Sequence, residues 1–142
     1  MDSQLQHLNL IDLIIERHVL LRSLVNQKWN EGHDLHISNS EWFIMARIYK
    51  KQPTISYVTR HVDISRQATH KFIKILESKG LVEISKAQHS KKDKCIRLTA
   101  FGEACYEKNK IIKAELEAKI IESIGDEQAA QLKRILQTEW RL

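Results

Sequence analysis

The chain is poor in the residues that punctuate β structure. One proline and four glycines in 142 residues are too few for a protein of many tight turns, which leaves a mostly helical chain. Its two cysteines, Cys95 and Cys105, make neither a disulfide framework nor a zinc finger. An intracellular, cytoplasmic protein with reduced thiols is the simplest reading. No apolar run approaches the roughly 20 residues of a membrane span, so no membrane partner is expected. The opening stretch, MDSQLQHLNLIDLIIERH, lacks the basic head and small-residue cleavage site of an export signal. Also missing are a nucleophile elbow, a glycine-rich phosphate loop and an H-E-x-x-H metal motif. No enzyme activity, catalytic residue or cofactor is therefore expected. What remains is 42% apolar, enough for one core, at a length that fits one domain with helical extensions.

Charge is present but unevenly placed. The net value is +5, yet residues 1–36 hold three basic and five acidic side chains, and residues 100–142 hold seven and eight. Residues 37–99 hold thirteen basic against five acidic. The positive excess lies wholly in the middle segment, the pattern of a chain that meets a polyanion. A merely solubilising surface would spread it more evenly.

Apolar spacing organises the chain around that segment. Residues 4–29 read as a long helix, with Leu5, Leu8, Ile11, Ile15, Leu21 and Trp29 near a 3.6-residue period. Leu10, Leu13, Ile14, Val19 and Leu20 widen the stripe to a second face, which must be buried in the domain or against a second chain. Gly32 is expected to end it. Ser38 and Glu41 have the spacing of a capping box, starting a short helix, EWFIMARIYKK, before Pro53. Thr54 can cap a second short helix, TISYVTRHV. Ser65 caps a third after a turn at Asp63-Ile64, and Gly80 closes it.

Past Gly80 the period changes to two. Leu81, Val82 and Ile84 make one strand, Cys95 to Leu98 another, and KAQHSKKDK lies between them as a protruding basic loop. Thr99 is expected to cap a helix over 100–124 with Ile112, Leu116, Ile120 and Ile124 on one face. Gly125 breaks it, and Asp126 caps a last helix that runs to EWRL.

The third short helix carries the chemistry. In SRQATHKFIKILESKGLVE, no acid occurs from Ser65 until Glu77. Ala68, Phe72, Ile75 and Leu76 form its apolar rhythm, with Ile73 at the rim. Gln67, His70, Lys71 and Lys74 stand at i, i+3, i+4 and i+7 and share the opposite face. Arg66 and Ser65 sit at the N-terminal end, where a helix in the major groove commonly meets bases. Lys74, a turn further back, suits phosphate. Two helices, a turn, a polar-faced helix and a basic-tipped hairpin describe a winged helix-turn-helix.

On these residues the chain resembles the multiple-antibiotic-resistance regulator (MarR) family. The likeness is carried by ISRQATHKFIKILESKGLVE, the basic wing, and IRLTAFG leading into a long helix, and it covers nearly the whole chain. The resemblance implies a mostly α fold with a small β wing. A winged helix-turn-helix over 37–99 would be flanked by dimerisation helices over 1–36 and 100–142. It implies a homodimeric transcriptional repressor of a palindromic double-stranded DNA operator, released by a small-molecule effector or by cysteine oxidation at Cys95 or Cys105. The DNA-binding residues it implies are Ser65, Arg66, Gln67, Thr69, His70, Lys71 and Lys74 on the helix, with Ser90, Lys91, Lys92 and Lys94 on the wing. Family wings carry an aspartate and two arginines where this chain has Ser90, Lys91 and Lys92. Lysine keeps the charge but lacks the planar fork, which favours backbone contact over minor-groove insertion. Dimer contacts are expected from Leu5, Leu8, Ile120, Ile124, Leu132, Leu136 and Trp140.

Other residues have competing readings. His33 and His36, with Glu31 and Asp34 nearby, are a solvated loop cluster before they are a metal site, since their spacing matches no structural zinc pattern. Lys94 and Arg97 flank Cys95, yet a redox thiol also needs exposure and a lowered pKa. Trp29, Trp42, Phe43 and Tyr49 serve equally as core or as the lining of an effector pocket. A winged-helix module that contacts protein instead of DNA is the competing class, and it calls for apolar or mixed-charge groups on the third helix.

Overall fold

Capping side chains fix where most of the helices begin. The computed structural model describes residues 3–87 and 92–142, and after a 3-10 turn at Ser3–Leu5 the first helix, α1, spans Leu10–Gly32. It starts later than the apolar period suggests because Asn9 caps it, its Oδ1 accepting the Asp12 N–H at 2.8 Å. Helix α2 (Asn39–Ile48) opens with the expected capping box. The Glu41 N–H donates to Ser38 Oγ at 3.3 Å and the Ser38 N–H to Glu41 Oε1 at 3.2 Å. It ends before the YKK stretch because Lys50 turns left-handed, φ 56°. Thr54 caps α3 (Ile55–His61) through the Tyr57 N–H, 3.1 Å, and Ser65 caps α4 (Arg66–Ser78) through the Ala68 N–H, 3.1 Å.

Helix α4 closes at Gly80, φ 74°, a conformation glycine adopts without the Cβ clash that other residues meet. Two strands follow, β1 (Val82–Lys86) and β2 (Lys94–Leu98), paired antiparallel with Val82 opposite Leu98 and Lys86 opposite Lys94. Thr54 adds a bridge to Cys95, and the Ile96 N–H donates to the Pro53 carbonyl at 2.9 Å. The hairpin is thus tied to the start of α3, a link with no local sequence signal.

Helix α5 spans Ala100–Ile124 and α6 spans Asp126–Gln137. The Thr99 hydroxyl serves both ends of its turn, accepting the Gly102 N–H at 2.9 Å and donating to the Gly80 carbonyl at 2.6 Å. Asp126 does not cap α6. Gly125, φ 91°, holds the cap position without a side-chain bond, and Asp126 becomes the first helical residue, where its charge still suits the helix dipole. The last helix stops at Gln137 rather than running to the end, and Trp140 folds back, its indole N–H donating to the Ile135 carbonyl at 3.0 Å.

Two helices end on one device. His33 stacks on Trp29, centroids 3.7 Å apart, with Nδ1 3.1 Å from the Trp29 carbonyl. His61 stacks on Tyr57 at 4.0 Å, with Nδ1 2.7 Å from the Tyr57 carbonyl. A histidine four residues after an aromatic adds a side-chain donor to a last-turn carbonyl, so Nδ1 carries the proton. Gly32 is the last residue of α1, where the break was expected, and His33 takes the C-cap position just past it.

The chain divides into two units, residues 1–34 with 110–142, and residues 35–109. The second contains the whole 37–99 segment. Its interior gathers Ile44, Met45 and Ile48 from α2, Val58 from α3, Ile73 and Leu76 from α4, and Leu81 and Ile96 around the strands, all fully or nearly fully buried. In the first unit, α1 buries Trp29 alone and α6 buries no residue.

Candidate nucleic-acid interface

Helix α4 is two-faced, but its register differs from the apolar rhythm read off the sequence. The buried line is Thr69, Ile73 and Leu76, at i, i+4 and i+7. Ile73 is core, not rim, and Ala68, Phe72 and Ile75 are only half-buried. Thr69 lies on the buried side. It has no exposed surface, and its hydroxyl donates to the Ser65 carbonyl at 2.9 Å, so this side chain is a prop for the helix start and faces away from the polar surface. A threonine hydroxyl can satisfy itself on a preceding carbonyl, which offsets the cost of burying this polar residue.

The other predicted helix residues are brought together. Ser65, Arg66, Gln67, His70, Lys71 and Lys74 are all exposed, and the exposed part of the helix carries no carboxylate until Glu77. Such a surface can donate to phosphate oxygens and to the acceptor groups of base edges.

On the hairpin, charge is graded from base to tip. Arg97 lies opposite Glu83 and donates to it at 2.8 Å, which neutralises the base. Toward the tip Lys86 lies directly opposite Lys94, both exposed. Like charges in facing positions repel. Lys92 is also exposed, while Ser90 and Lys91 lie outside the described residues. Lys86 was not among the residues singled out from sequence; register counted from Val82 to Leu98 is the signal that locates it.

The remaining candidates fall elsewhere. Trp29 and Trp42 are buried, Phe43 is 56% exposed, and Tyr49 packs on Tyr106 and donates to Glu107 at 2.9 Å. Cys105 is buried, and desolvation pushes its thiol above the ordinary cysteine range although Lys108 pulls the other way. Cys95 is half-buried on β2, opposite Ser85. Among the described residues no group of three or more His, Cys, Asp or Glu could hold a metal ion, and no helix is long and apolar enough to cross a membrane.

Residues 37–102 match the family model of winged helix DNA-binding domains. The fold is similar to that of solved MarR-type structures. The chain is similar to E. coli MarR in its apo form, with a TM-score of 0.76, 19% identity, and 93% of this chain and 97% of that one covered. It is also similar to Streptococcus pneumoniae FabT in complex with DNA, at 0.71 and 23% identity, covering 87% and 86%. A third similar structure is S. aureus MepR in a DNA-binding conformation, at 0.72 and 18% identity, covering 91% and 94%. No curated protein sequence matches the chain.

Proposed function

We propose that the protein is a sequence-specific, DNA-binding transcriptional regulator of the MarR type, a repressor acting as a homodimer in the cytoplasm. The observation that carries this reading is the wholly polar exposed face of α4, which carries no acid before Glu77 and is set on a helix whose opposite side is core. In this reading Arg66, Gln67, His70 and Lys71 face base edges in the major groove, where arginine and lysine suit guanine and glutamine suits adenine. Lys74, with Lys86, Lys92 and Lys94 of the wing, meets phosphates as point charges. FabT, with the same fold, was solved in complex with DNA, which supports the assignment.

Dimerisation is proposed from the first unit. Leu132, Ile135, Leu136 and Trp140 are 45–58% exposed, as are Leu10, Ile11, Ile15 and Val19 on α1 to a similar or greater degree. Leu5, Leu8, Ile120 and Ile124 are half-buried. Apolar area on this scale signals an interaction surface, and a second copy covering it gives two recognition helices related by a twofold axis, hence a palindromic operator. Release by a small molecule belongs to the same reading and rests on the family resemblance. A protein-docking role for α4 is less favoured, because its exposed residues include no large apolar group.

The test is selection from a randomised duplex pool with the purified protein. Enrichment of an inverted repeat is expected. Recovery of a sequence-random pool, bound no better than bulk DNA, would contradict the proposal.

A further inference from the structure

The face of α4 is useful only if the helix is held at one setting. Ile73 and Leu76 anchor it by apolar burial, an attraction with no direction of its own. The Ser65 cap is local and moves with the helix. Among the described residues, the side-chain hydrogen bonds that tie α4 and its C-cap to a distant part of the chain come from Lys79. Its ammonium donates to both carboxylate oxygens of Glu41, at 2.9 and 2.8 Å, and to the His36 carbonyl at 2.6 Å. Three donors are thereby used in full.

Glu41 is unusual for a capping residue. It is 2% exposed, and besides Lys79 its Oε1 accepts the Ser38 N–H and hydroxyl at 3.2 and 3.0 Å. One buried carboxylate therefore joins the start of α2 to the end of α4. A buried ion pair is a weak source of net stability, because desolvation offsets its attraction and an apolar pair often serves as well. Its distinctive property is direction. Three donors meeting three acceptors favour one position of the Lys79 end of α4. The reading face begins at Arg66, about 20 Å along the same rigid helix, so a shift of about 1 Å at Lys79 reaches the bases, where hydrogen bonds tolerate only a few tenths.

We infer that the part-buried Glu41–Lys79 pair sets the position of α4, making both residues positioning residues for base readout through a contact that does not itself involve DNA. The inference rests on the proposed role of α4 as the recognition helix. It predicts that sequence preference and folding separate when the pair is removed without changing net charge.

The test uses the full-length protein carrying Glu41→Gln together with Lys79→Met. Glutamine keeps the capping box, and the two changes cancel in charge, so affinity for random DNA is expected to stay at the wild-type level. Binding is measured at one salt concentration to a duplex recovered from a randomised pool by the wild-type protein and to a scrambled duplex. The double variant is expected to lose about tenfold of the preference, the scale of one misread base pair. Lys79→Arg, which keeps the cation and a two-pronged carboxylate contact, is expected to retain most of it. Glu41→Gln alone is the milder arm, with an expected loss of about threefold, and it carries the test if the double variant does not fold. Full preference in a folded double variant, or in Glu41→Gln, overturns the inference while leaving the recognition role of α4 standing. Absence of any preference in the wild-type protein overturns both.

Discussion

The two units of this chain solve the burial problem in opposite ways. Residues 35–109 enclose a core from three helices and a hairpin, and turn outward a surface of lysine, arginine, histidine and glutamine. Residues 1–34 and 110–142 have helices of comparable apolar content, yet leave Leu10, Ile11, Val19, Ile135 and Leu136 more than half exposed. One unit is finished as a monomer and displays charge. The other displays the kind of surface that folding normally hides. A chain divided in this way suits a protein that uses one part to meet a polyanion and the other to meet itself.

The largest expected effect breaks the second half of that contrast. Replacing Leu132 or Leu136 by glutamate places a carboxylate in the proposed dimer contact. It is expected to weaken the dimer at least about a hundredfold, about 3 kcal/mol, while the circular-dichroism signal of the 35–109 unit survives. Sedimentation velocity over a concentration series checks it, and an unchanged dimer would show that these residues are surface.

A smaller loss is expected from the opposite unit. A Cβ at Gly102 would overlap the Leu81 carbonyl oxygen, so α5 can approach the start of the hairpin only with glycine there. Gly102→Ala is expected to lower stability by about 2 kcal/mol through overpacking against backbone, read as a shift in the urea midpoint. Smaller again is the combined replacement of Lys86, Lys92 and Lys94 by alanine. Binding to specific and random duplexes should fall together by about tenfold, and the salt dependence should flatten by up to about 3 in slope. Loss of preference with affinity for random DNA intact would instead make the wing a reader of sequence.

The smallest expected effect tests the interior of the closed unit. Burial raises the Cys105 pKa, so at neutral pH little thiolate is present and alkylation should be slow until the protein is denatured. The same shift has a sign for stability. Between the ordinary cysteine pKa, about 8.5, and the raised folded value, the unfolded chain loses this proton and the folded chain keeps it. Stability from this thiol is thus full below about 8.5 and lost as pH rises through the folded value. Rapid alkylation of native Cys105 at neutral pH would contradict this and favour a redox role for the thiol.

Much of this architecture was legible because it is written in short-range chemistry. Ser38, Thr54 and Ser65 cap helices at the positions their spacing indicates, and Gly80 and Gly125 adopt positive φ where breaks were expected. The change of period after Gly80 located the hairpin. What escaped depends on contacts between distant residues or on competition within one turn. Apolar period alone drew the first helix back to residue 4, because nothing in it weighs Asn9 as a cap. Thr69, polar by type, reads from sequence as a DNA-contacting residue, and its burial depends on the Ser65 carbonyl that takes its hydroxyl. Glu41 was legible as a cap, but its partner Lys79 is 38 residues away, and no spacing rule connects them. Lys86 needed the strand register, and Gly102 needed the approach of Leu81.

The central claim is that the exposed face of α4 reads base sequence, and one titration addresses it most directly. Arg66→Ala and Gln67→Ala are each measured against a duplex selected by the wild-type protein and against random duplex, at a single salt concentration. Both side chains are exposed and lie off the Thr69, Ile73 and Leu76 line, so helical content should not change. Each variant is expected to lose about 1–3 kcal/mol on the selected duplex and far less on random sequence. Unchanged preference in both folded variants would contradict the account and remove α4 from the reading role.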